Sequence, residues 1–292
     1  MALGSKTKKG LGIGCGAVLV IFMALLGGTV YFTTQMNREY KAVKELEGQL
    51  VTAHGPGNQL PAGYTGWPSP ERLSVFLAVH QSTAEWRVKL ETSFAEVLQR
   101  EEESGSSNFG RFLQVLKASR DLAPVFSGFW TARNSSLLEQ EMGIAEYKYL
   151  YCLAFYGDLG KDPSDGARDA DSFLAGMGAG GAMQNTDDTG EAEAERRLWM
   201  REQINDLMLP LMQQAARAAA AADDPVVLAW ATVLQAEIRL MQDDPLRVPF
   251  AGSVPAALAE AMAPYRARLE ASYSVTVNPV ELIFEKSWAR EE

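Results

Sequence analysis

Cysteine is almost absent from this sequence, which contains only Cys15 and Cys152 among its 292 residues. Cys15 lies in a long apolar stretch near the N-terminus, and Cys152 is alone in the remainder of the chain. No disulfide is therefore possible within the part that follows the apolar stretch, and its stability must come from a packed core. About 240 residues are enough to build such a core in one or two domains.

Histidine is equally scarce, with only His54 and His80. A metal site needs three or four ligands at characteristic spacing, and the sequence has no H-E-x-x-H motif, no paired cysteine motif and no G-x-S-x-G motif. His80 lies on the apolar stripe of one long predicted helix, which starts at Pro70, ends in the charged run 101–103 and also carries Ala84 and Val88 on that stripe. Cys152 shares a stripe with Tyr149 and Leu153. Both His80 and Cys152 therefore favour a packing role. We therefore expect no cofactor, no metal site and no enzymatic activity.

Two segments resemble ligand-binding motifs but lack the surroundings that such motifs need. Residues 176–181, GMGAGG, match the letters of G-x-G-x-x-G, although no predicted strand precedes them. The aspartates 162, 165, 169 and 171 lack the alternating oxygens and the final Glu of a calcium-binding loop. A solvated loop is the simpler interpretation of both segments.

Basic residues are fewer than acidic ones, since the sequence has 27 Lys and Arg and 37 Asp and Glu. Residues 1–34 hold three lysines and no acid, so the rest of the chain carries 24 basic and 37 acidic residues, a net charge of −13. Nucleic-acid binding requires basic patches that displace counterions from phosphates. The composition thus argues against nucleic acid as a partner, and against broad contact with anionic lipid.

Residues 11–33 form a continuous run of apolar and small side chains, and no charged residue occurs from position 10 to position 37. At 1.5 Å rise per residue, a helix of this length extends about 34 Å and crosses a hydrocarbon core of roughly 30 Å. Tyr31 and Phe32 at its end suit a membrane interface. The run predicts a single transmembrane anchor in the lipid bilayer. A cleaved secretory signal is the alternative, although its apolar region is usually about 7–15 residues long.

The orientation of this anchor rests on a small charge asymmetry. Lys6, Lys8 and Lys9 are packed together in the short tail, residues 1–10, whereas the basic residues beyond the anchor are mixed with acids. Positive charge near a membrane helix favours the cytoplasmic side. We expect a single-pass protein of a bacterial inner membrane, with its N-terminus in the cytoplasm and the rest in the periplasm. The reversed topology is the alternative.

Hydrophobic periodicity in the remainder predicts an all-α fold. We assign residues 34–68 to a juxtamembrane helix and a Gly/Pro-rich spacer, 69–275 to a helical domain, and 276–292 to a C-terminal tail. Within the domain, a Gly- and Asp-rich segment at about 157–190 predicts a flexible insert. The pattern indicates a bundle of roughly six to eight helices. A helical repeat array is the alternative, but no period of 30–45 residues recurs.

Within the predicted anchor, small residues recur at four-residue spacing. The pairs are Gly12 with Gly16 and Ala24 with Gly28. Small residues at this spacing let membrane helices approach closely, so they are candidates for helix packing and for a homo-oligomer. Small residues are also common in membrane helices that do not associate.

An aromatic segment, EMGIAEYKYLYCLAFYG, carries more rings than a one-sided core contact requires. Either the segment lies at the centre of the bundle, or part of it lines a groove for a partner or ligand. The candidate groove residues are Glu141, Glu146, Tyr147, Tyr149, Tyr151 and Tyr156.

The sequence supports two hypotheses of function. The first is a membrane-anchored, non-enzymatic interaction or scaffold protein, whose exported helical domain binds other proteins of the bacterial cell envelope. The second is a membrane-tethered domain that binds a small molecule or lipid, with or without enzymatic activity, in a pocket between the Tyr-rich helix and the second half of the chain. A pocket of about 300 Å³ or more is the size that the second hypothesis requires.

Overall fold

A computed structural model describes residues 41–103, 108–163, 190–252, 254–279 and 281. Its α-helices are α1 (residues 41–54), α2 (Pro70–Ser82), α3 (Ala84–Glu103), α4 (Asn108–Glu139), α5 (Ile144–Tyr151), α6 (Gly190–Ala220), α7 (Pro225–Asp243), α8 (Ala256–Met262) and α9 (Arg266–Ser272). Helix α5 continues as the π-helix Cys152–Asp158, and the 3₁₀ turn Ala263–Tyr265 joins α8 to α9. These residues contain no strand, which confirms the predicted all-α class.

Within residues 69–275, the predicted helical domain, the structure describes eight α-helices, α2 to α9, which agrees with the roughly six to eight predicted. A break at Thr83 divides a single predicted helix into α2 and α3. The backbone N–H and the hydroxyl of Thr83 both donate to the carbonyl oxygen of His80, at 3.3 and 2.7 Å. Because the Thr83 hydroxyl competes with backbone N–H groups for helix hydrogen bonds, the regular hydrogen-bond pattern of the helix is interrupted at Thr83.

The strand-like sequence SVTV, at positions 274–277, is a turn that leads into helical residues 277–279. The hydroxyl oxygen of Ser274 accepts hydrogen bonds from the backbone N–H of Thr276 and Val277, at 3.3 and 3.0 Å. This is the arrangement of a helix N-cap. Local capping by Ser274 therefore overrides the β propensity of the branched side chains.

The core is built around α5 and the π-helix that follows it. Every residue from Ile144 to Asp158 is buried, so this segment is enclosed on all sides. Helices α2 and α6 pack against α5, while α8 packs against the π-helix, and α6 packs along α7. An enclosed helix explains why apolar and aromatic residues occur all round this segment rather than in one stripe.

Helices α3 and α4 form a second packed pair that depends on a glycine. Gly128 of α4 faces the indole ring of Trp86, and a Cβ at this position would overlap the ring. Glycine is therefore what allows α3 and α4 to approach closely here.

Residues 55–68, predicted as a spacer, pack against the helical core. The indole rings of Trp67 and Trp230 meet edge to face, with centroids 5.6 Å apart. The amide of Gln214 accepts from the backbone N–H of Leu60 at 2.9 Å and donates to the carbonyl oxygen of Asn58 at 3.0 Å. Aromatic burial and these long-range hydrogen bonds hold the segment in place, although its composition resembles that of a linker.

The start of the predicted C-terminal tail also belongs to the core. Asn278 is fully buried, and Glu281 is 3% exposed. A guanidinium nitrogen of Arg87 donates to Glu281 Oε2 at 2.7 Å. The folded domain therefore extends past residue 275 to at least Glu281, because a buried ion pair joins its last turn to α3.

The predicted insert at about 157–190 is described only at its beginning. Asp158 accepts from Arg266 at 2.6 Å, and Asp162 accepts from Arg201 at 2.7 Å, so residues 157–163 are tied to α9 and α6. Residues 164–189 lie outside the described residues, as do residues 1–40, which include the predicted anchor. Among the helices that the structure describes, none is both long and apolar enough to cross a membrane.

Candidate functional site

The six predicted groove residues do not share one surface. Glu141 is exposed in the turn after α4, where its backbone φ is +51°. Glu146 is buried and accepts two hydrogen bonds from the Arg72 guanidinium, both 2.6 Å long. The other four are buried in the core, namely Tyr147, Tyr149, Tyr151 and Tyr156. The structure therefore places most of the aromatic segment at the centre of the bundle, while Tyr156 near its end also lines a cavity.

Three of these tyrosines use their hydroxyls to tie distant segments together. The hydroxyl of Tyr147 donates to Glu281 Oε1 at 3.1 Å, and that of Tyr149 donates to the carbonyl oxygen of Gly66 at 3.1 Å. The hydroxyl of Tyr151 lies 3.4 Å from the carbonyl oxygen of Asn278. Burial raises the pKa of each of these phenols, which therefore act as neutral donors.

The candidate helix-packing residues fall outside the described part of the chain. They are Gly12, Gly16, Ala24 and Gly28. The role of these residues stays a prediction.

A groove of about 450 Å³ lies between α2–α3 on one side and α9 with the following turn on the other. We call it the α2–α9 groove. Its walls combine apolar side chains with charged residues at the rim, and its lining residues are Leu77, His80, Gln81, Ala84, Arg87, Val88, Glu91, Arg268, Ala271, Ser272, Tyr273 and Ser274. This volume lies within the range of small-molecule sites.

Buried polar groups form the floor of the α2–α9 groove. His80 Nδ1 lies 3.4 Å from the hydroxyl oxygen of Tyr147, and His80 Nε2 lies 3.4 Å from the carbonyl oxygen of Ser272. Arg87 donates to Glu281 and to the side-chain oxygen of Asn278. A continuous polar chain therefore runs from the floor of the groove into the core.

The ionisation of this floor follows from its burial. Desolvation, reinforced by the nearby positive charge of Arg87, holds the pKa of His80 well below its usual value. His80 is therefore a neutral imidazole at physiological pH, with one ring nitrogen that donates and one that accepts.

A second cavity of about 410 Å³ lies where the π-helix meets the second half of the chain. Tyr156 lines it, and the buried hydroxyl of Tyr156 has no hydrogen-bond partner among the residues that the structure describes. Phe250, another lining residue, has a positive φ of +59°, and its N–H donates to Glu237 Oε1 at 2.8 Å. A π-helix and a strained backbone at one cavity are features that often accompany function.

The outer face of α7 is a third surface with an unusual composition. Its exposed large apolar side chains are Val226, Leu228 and Leu240, which are 53%, 49% and 47% exposed. Between them lie the exposed Ala229, Thr232, Gln235 and Ala236, the half-buried Val233, and Arg239. Arg239 is the only charged residue among the exposed positions from 226 to 240 of this helix.

Five residues on the outer face recur with heptad spacing. Val226, Ala229, Val233, Ala236 and Leu240 are separated alternately by three and four residues, which places them along one stripe of the helix. We call this stripe the α7 seam. The inner face of the same helix carries the buried Trp230, Leu234, Ile238 and Met241. Helix α7 is therefore apolar on both its inner and its outer side.

Neither a metal site nor an activated cysteine is found in the described ranges. They contain no group of three or more His, Cys, Asp or Glu side chains arranged to hold a metal ion. Cys152 is fully buried, and desolvation raises the pKa of its thiol. A thiol in such surroundings stays protonated and is a poor nucleophile.

Comparison with known proteins adds no assignment. The chain matches no protein-family model, no curated protein and no solved structure.

Sequence periodicity missed the α2–α9 groove because it treated α2 and α3 as one helix. A single helix would point Ala84 and Val88 inward with His80, but the break at Thr83 exposes both residues, and Val88 is 61% exposed. The sequence feature that could have indicated this break is the mixture of small, polar and charged residues around Thr83. No local sequence pattern predicts the second wall of the groove, because α9 lies almost 200 residues further along the chain than α2.

Proposed function

We propose that this protein is a membrane-anchored, non-enzymatic scaffold of the bacterial cell envelope, which binds another protein through the α7 seam. The observation that carries the proposal is the exposed heptad stripe on α7. Contiguous exposed apolar surface rimmed by polar residues is typical of interaction sites, and a heptad stripe is the pattern that packs against another helix. An amphipathic helix is therefore the occupant that fits the seam best.

The charges around the seam indicate which kind of helix binds. Exposed Asp223 and Asp224 precede α7, while exposed Asp243 and Asp244 lie at its C-terminal end. A second copy of α7, whether parallel or antiparallel, brings acids against acids at both ends. A helix from another protein with Lys or Arg flanking its apolar stripe gains attraction at both ends instead. We infer a partner of this second kind.

The anchor is the other half of the proposal. Residues 11–33 are long and apolar enough for a membrane span, and the lysines before them favour a cytoplasmic N-terminus. The folded domain then lies in the periplasm, and the seam faces other envelope proteins. Alkaline extraction of membranes tests the anchor, together with a topology reporter fused after residue 292. A mature N-terminus beyond Phe32, or full release without detergent, contradicts it.

Site-specific photo-crosslinking in intact cells tests the seam. A photoreactive residue at Leu240 is expected to capture one protein, and the same residue at Arg217, an exposed position of α6, is expected to capture none. The crosslinked peptide should belong to an amphipathic helix flanked by basic residues. Ala236→Asp should abolish capture, whereas Ala78→Asp, on exposed α2 surface, should not.

Three results contradict the proposed use of the seam. They are the absence of any specific product at Leu240, capture that survives Ala236→Asp, and a product at twice the mass of this chain. The last result means that a second copy covers the seam. Thermal unfolding of both aspartate variants controls for damage to the fold, which is not expected because both alanines are exposed.

The cavity beside Tyr156 favours a second candidate function, binding of a small molecule or lipid. At about 410 Å³ it exceeds the size that this function requires, and it lies between the Tyr-rich helix and the second half of the chain. The buried hydroxyl of Tyr156 supplies a polar group for a ligand. Native mass spectrometry of detergent-solubilised protein tests this candidate. A bound molecule that is lost in Tyr156→Phe supports it, and protein of bare mass contradicts it.

A further inference from the structure

Two residues that line the cavity beside Tyr156 each bury a hydrogen-bonding atom that no described residue satisfies. One atom is the hydroxyl oxygen of Tyr156, on the π-helix, and the other is Nε of Arg201, on α6. Nearly all buried polar groups in folded proteins are paired, because an unpaired group loses its hydration without compensation. Two such atoms at one cavity indicate that a molecule from solution pairs with them.

The chemistry of the two atoms selects an acceptor. Nε of a guanidinium group carries a hydrogen and has no lone pair to offer, so Arg201 can only donate there. Burial raises the pKa of Tyr156 well above its usual value, which keeps the hydroxyl neutral and able to donate. The ligand must therefore present acceptor oxygen. A carbonyl oxygen, with its two lone pairs, meets this requirement.

The charges around the cavity argue against a charged ligand. Three ion pairs already join most of the charged side chains, namely Asp158 with Arg266, Asp162 with Arg201, and Glu237 with Arg247, at 2.6, 2.7 and 2.6 Å. The two other charged residues of the lining, Lys161 and Asp244, have opposite signs. An anion would meet carboxylates here and a cation would meet basic groups, so an uncharged ligand loses least on entry.

The rest of the lining is suited to an apolar body. The cavity measures about 410 Å³, and the side chains of Leu159, Val248 and Phe250 form part of its wall. Water pairs well with the two polar atoms, but beside these apolar side chains it finds no hydrogen-bond partner. An apolar chain therefore fills this part of the cavity better than water does.

We propose that the cavity beside Tyr156 binds an uncharged acyl ester or amide with a short chain. The carbonyl oxygen accepts hydrogen bonds from the Tyr156 hydroxyl and from Arg201 Nε, and the acyl chain packs against the apolar wall. This assignment rests on the second candidate function, ligand binding in the same cavity, and adds the chemical class of the ligand.

Native mass spectrometry with matched probes tests the ligand class on the detergent-solubilised full chain. 1-Hexanoylglycerol, an uncharged acyl ester, should add one probe mass at saturation and displace any molecule that the protein already carries. 1-O-Hexylglycerol lacks the carbonyl group, hexanoate is an anion, and hexylamine is a cation at neutral pH. Each of these controls is expected to bind about ten times more weakly, because none offers an uncharged carbonyl group to the two donors.

A pair of tyrosine variants tests the first donor. Tyr156→Phe should weaken binding of 1-hexanoylglycerol about tenfold, because it removes one hydrogen bond to the ligand. Tyr64→Phe is the matched control, since the hydroxyl of Tyr64 is likewise buried with no partner in the segments that the structure covers, but Tyr64 does not line the cavity. Equal affinity of the two variants overturns the role of Tyr156.

A pair of arginine variants tests the second donor. Arg201→Lys keeps a positive charge beside Asp162 but removes Nε, and it should weaken binding of 1-hexanoylglycerol about tenfold. Arg217→Lys, at an exposed position of the same helix, should leave the affinity unchanged. Binding to Arg201→Lys that equals binding to Arg217→Lys overturns the role of Arg201.

Thermal unfolding of the ligand-free protein gives an independent test. Tyr156→Phe should unfold at the same temperature as the parent or at a higher one, because it no longer buries an unpaired hydroxyl. 1-Hexanoylglycerol should raise the unfolding temperature of the parent and have little effect on that of the variant. A ligand-free Tyr156→Phe protein that unfolds at a lower temperature overturns the proposal, because the hydroxyl then already has a partner within the protein.

Two results distinguish failure of the ligand class from failure of the candidate function. If hexanoate or hexylamine binds more tightly than 1-hexanoylglycerol, and Tyr156→Phe abolishes this binding, the ligand class is wrong and ligand binding in the cavity stands. If none of the probes binds saturably, the proposal is overturned. The candidate function fails with it when the purified protein also has its bare mass.

Discussion

Tyr149 and Gly66 touch across a contact that only glycine permits. The Tyr149 hydroxyl donates to the Gly66 carbonyl oxygen at 3.1 Å, and a Cβ at residue 66 would lie 2.6 Å from that hydroxyl oxygen and 2.6 Å from the Cβ of Ala215. Gly66 also has a φ of +70°, in the left-handed region. The contact holds the Gly/Pro-rich segment against α5 and α6.

Gly66→Ala should therefore destabilise the domain for two reasons. The left-handed backbone costs about 1–2 kcal/mol for a residue with a Cβ, and the steric overlap adds about 1–3 kcal/mol. Gly63→Ala is the matched control, because Gly63 has a φ of +77° but open space around it. Urea unfolding should show the larger loss for Gly66→Ala. Equal losses in the two variants mean that the contact with Tyr149 contributes nothing.

Glu281 is expected to be essential for stability, although it lies near the end of the chain. Glu281→Gln leaves the buried guanidinium of Arg87 without its counter-charge, which typically costs about 3–5 kcal/mol. Glu85→Gln removes a carboxylate from the exposed ion pair with Lys89 and should leave the unfolding midpoint unchanged. Chemical denaturation measures both. A Glu281→Gln protein as stable as the parent contradicts the assignment of residues 277–279 and Glu281 to the core.

Lys148 should make stability depend on pH. Burial, assisted by the nearby charge of Arg133, lowers the pKa of Lys148 to about 7 in the folded protein, while the unfolded chain keeps the ordinary value near 10.5. Between these two values the unfolded state binds more protons, so the unfolding free energy rises with pH. From pH 7.0 to 8.5 this group contributes an increase of about 2 kcal/mol.

Lys148→Met removes the titrating amine and keeps a side chain of similar length. The variant should therefore lose the Lys148 part of the pH dependence and gain stability at pH 7.0, where the parent carries a partly charged, desolvated amine. Lys89→Met, at an exposed position, should keep the slope of the parent. Urea unfolding at pH 7.0 and 8.5 gives the comparison. A Lys148→Met slope equal to that of the parent shows that the amine is ordinary in the folded state.

Several features follow from local sequence alone. The helical class, the acidic balance of the domain and the inward residues of α7 all depend on side-chain type and on spacing along the helix. The start of α7 is equally local, because Asp224 accepts from the N–H of Val226 at 2.8 Å and Pro225 opens the helix. The charge balance follows from composition, and each of the other signals involves residues within about two helical turns of one another.

The tertiary structure decided the features that join distant parts of the chain. Arg87 and Glu281 are separated by 194 positions, and Gly66 and Tyr149 by 83 positions. No periodic pattern connects such pairs, because spacing along a helix reports which face is buried but not what covers it. Sequence alone therefore determined that Tyr147 and its neighbours form an aromatic helix. Only three-dimensional packing determined that this helix is enclosed on every side, that Tyr156 in the following π-helix lines one cavity, and that His80 lines another.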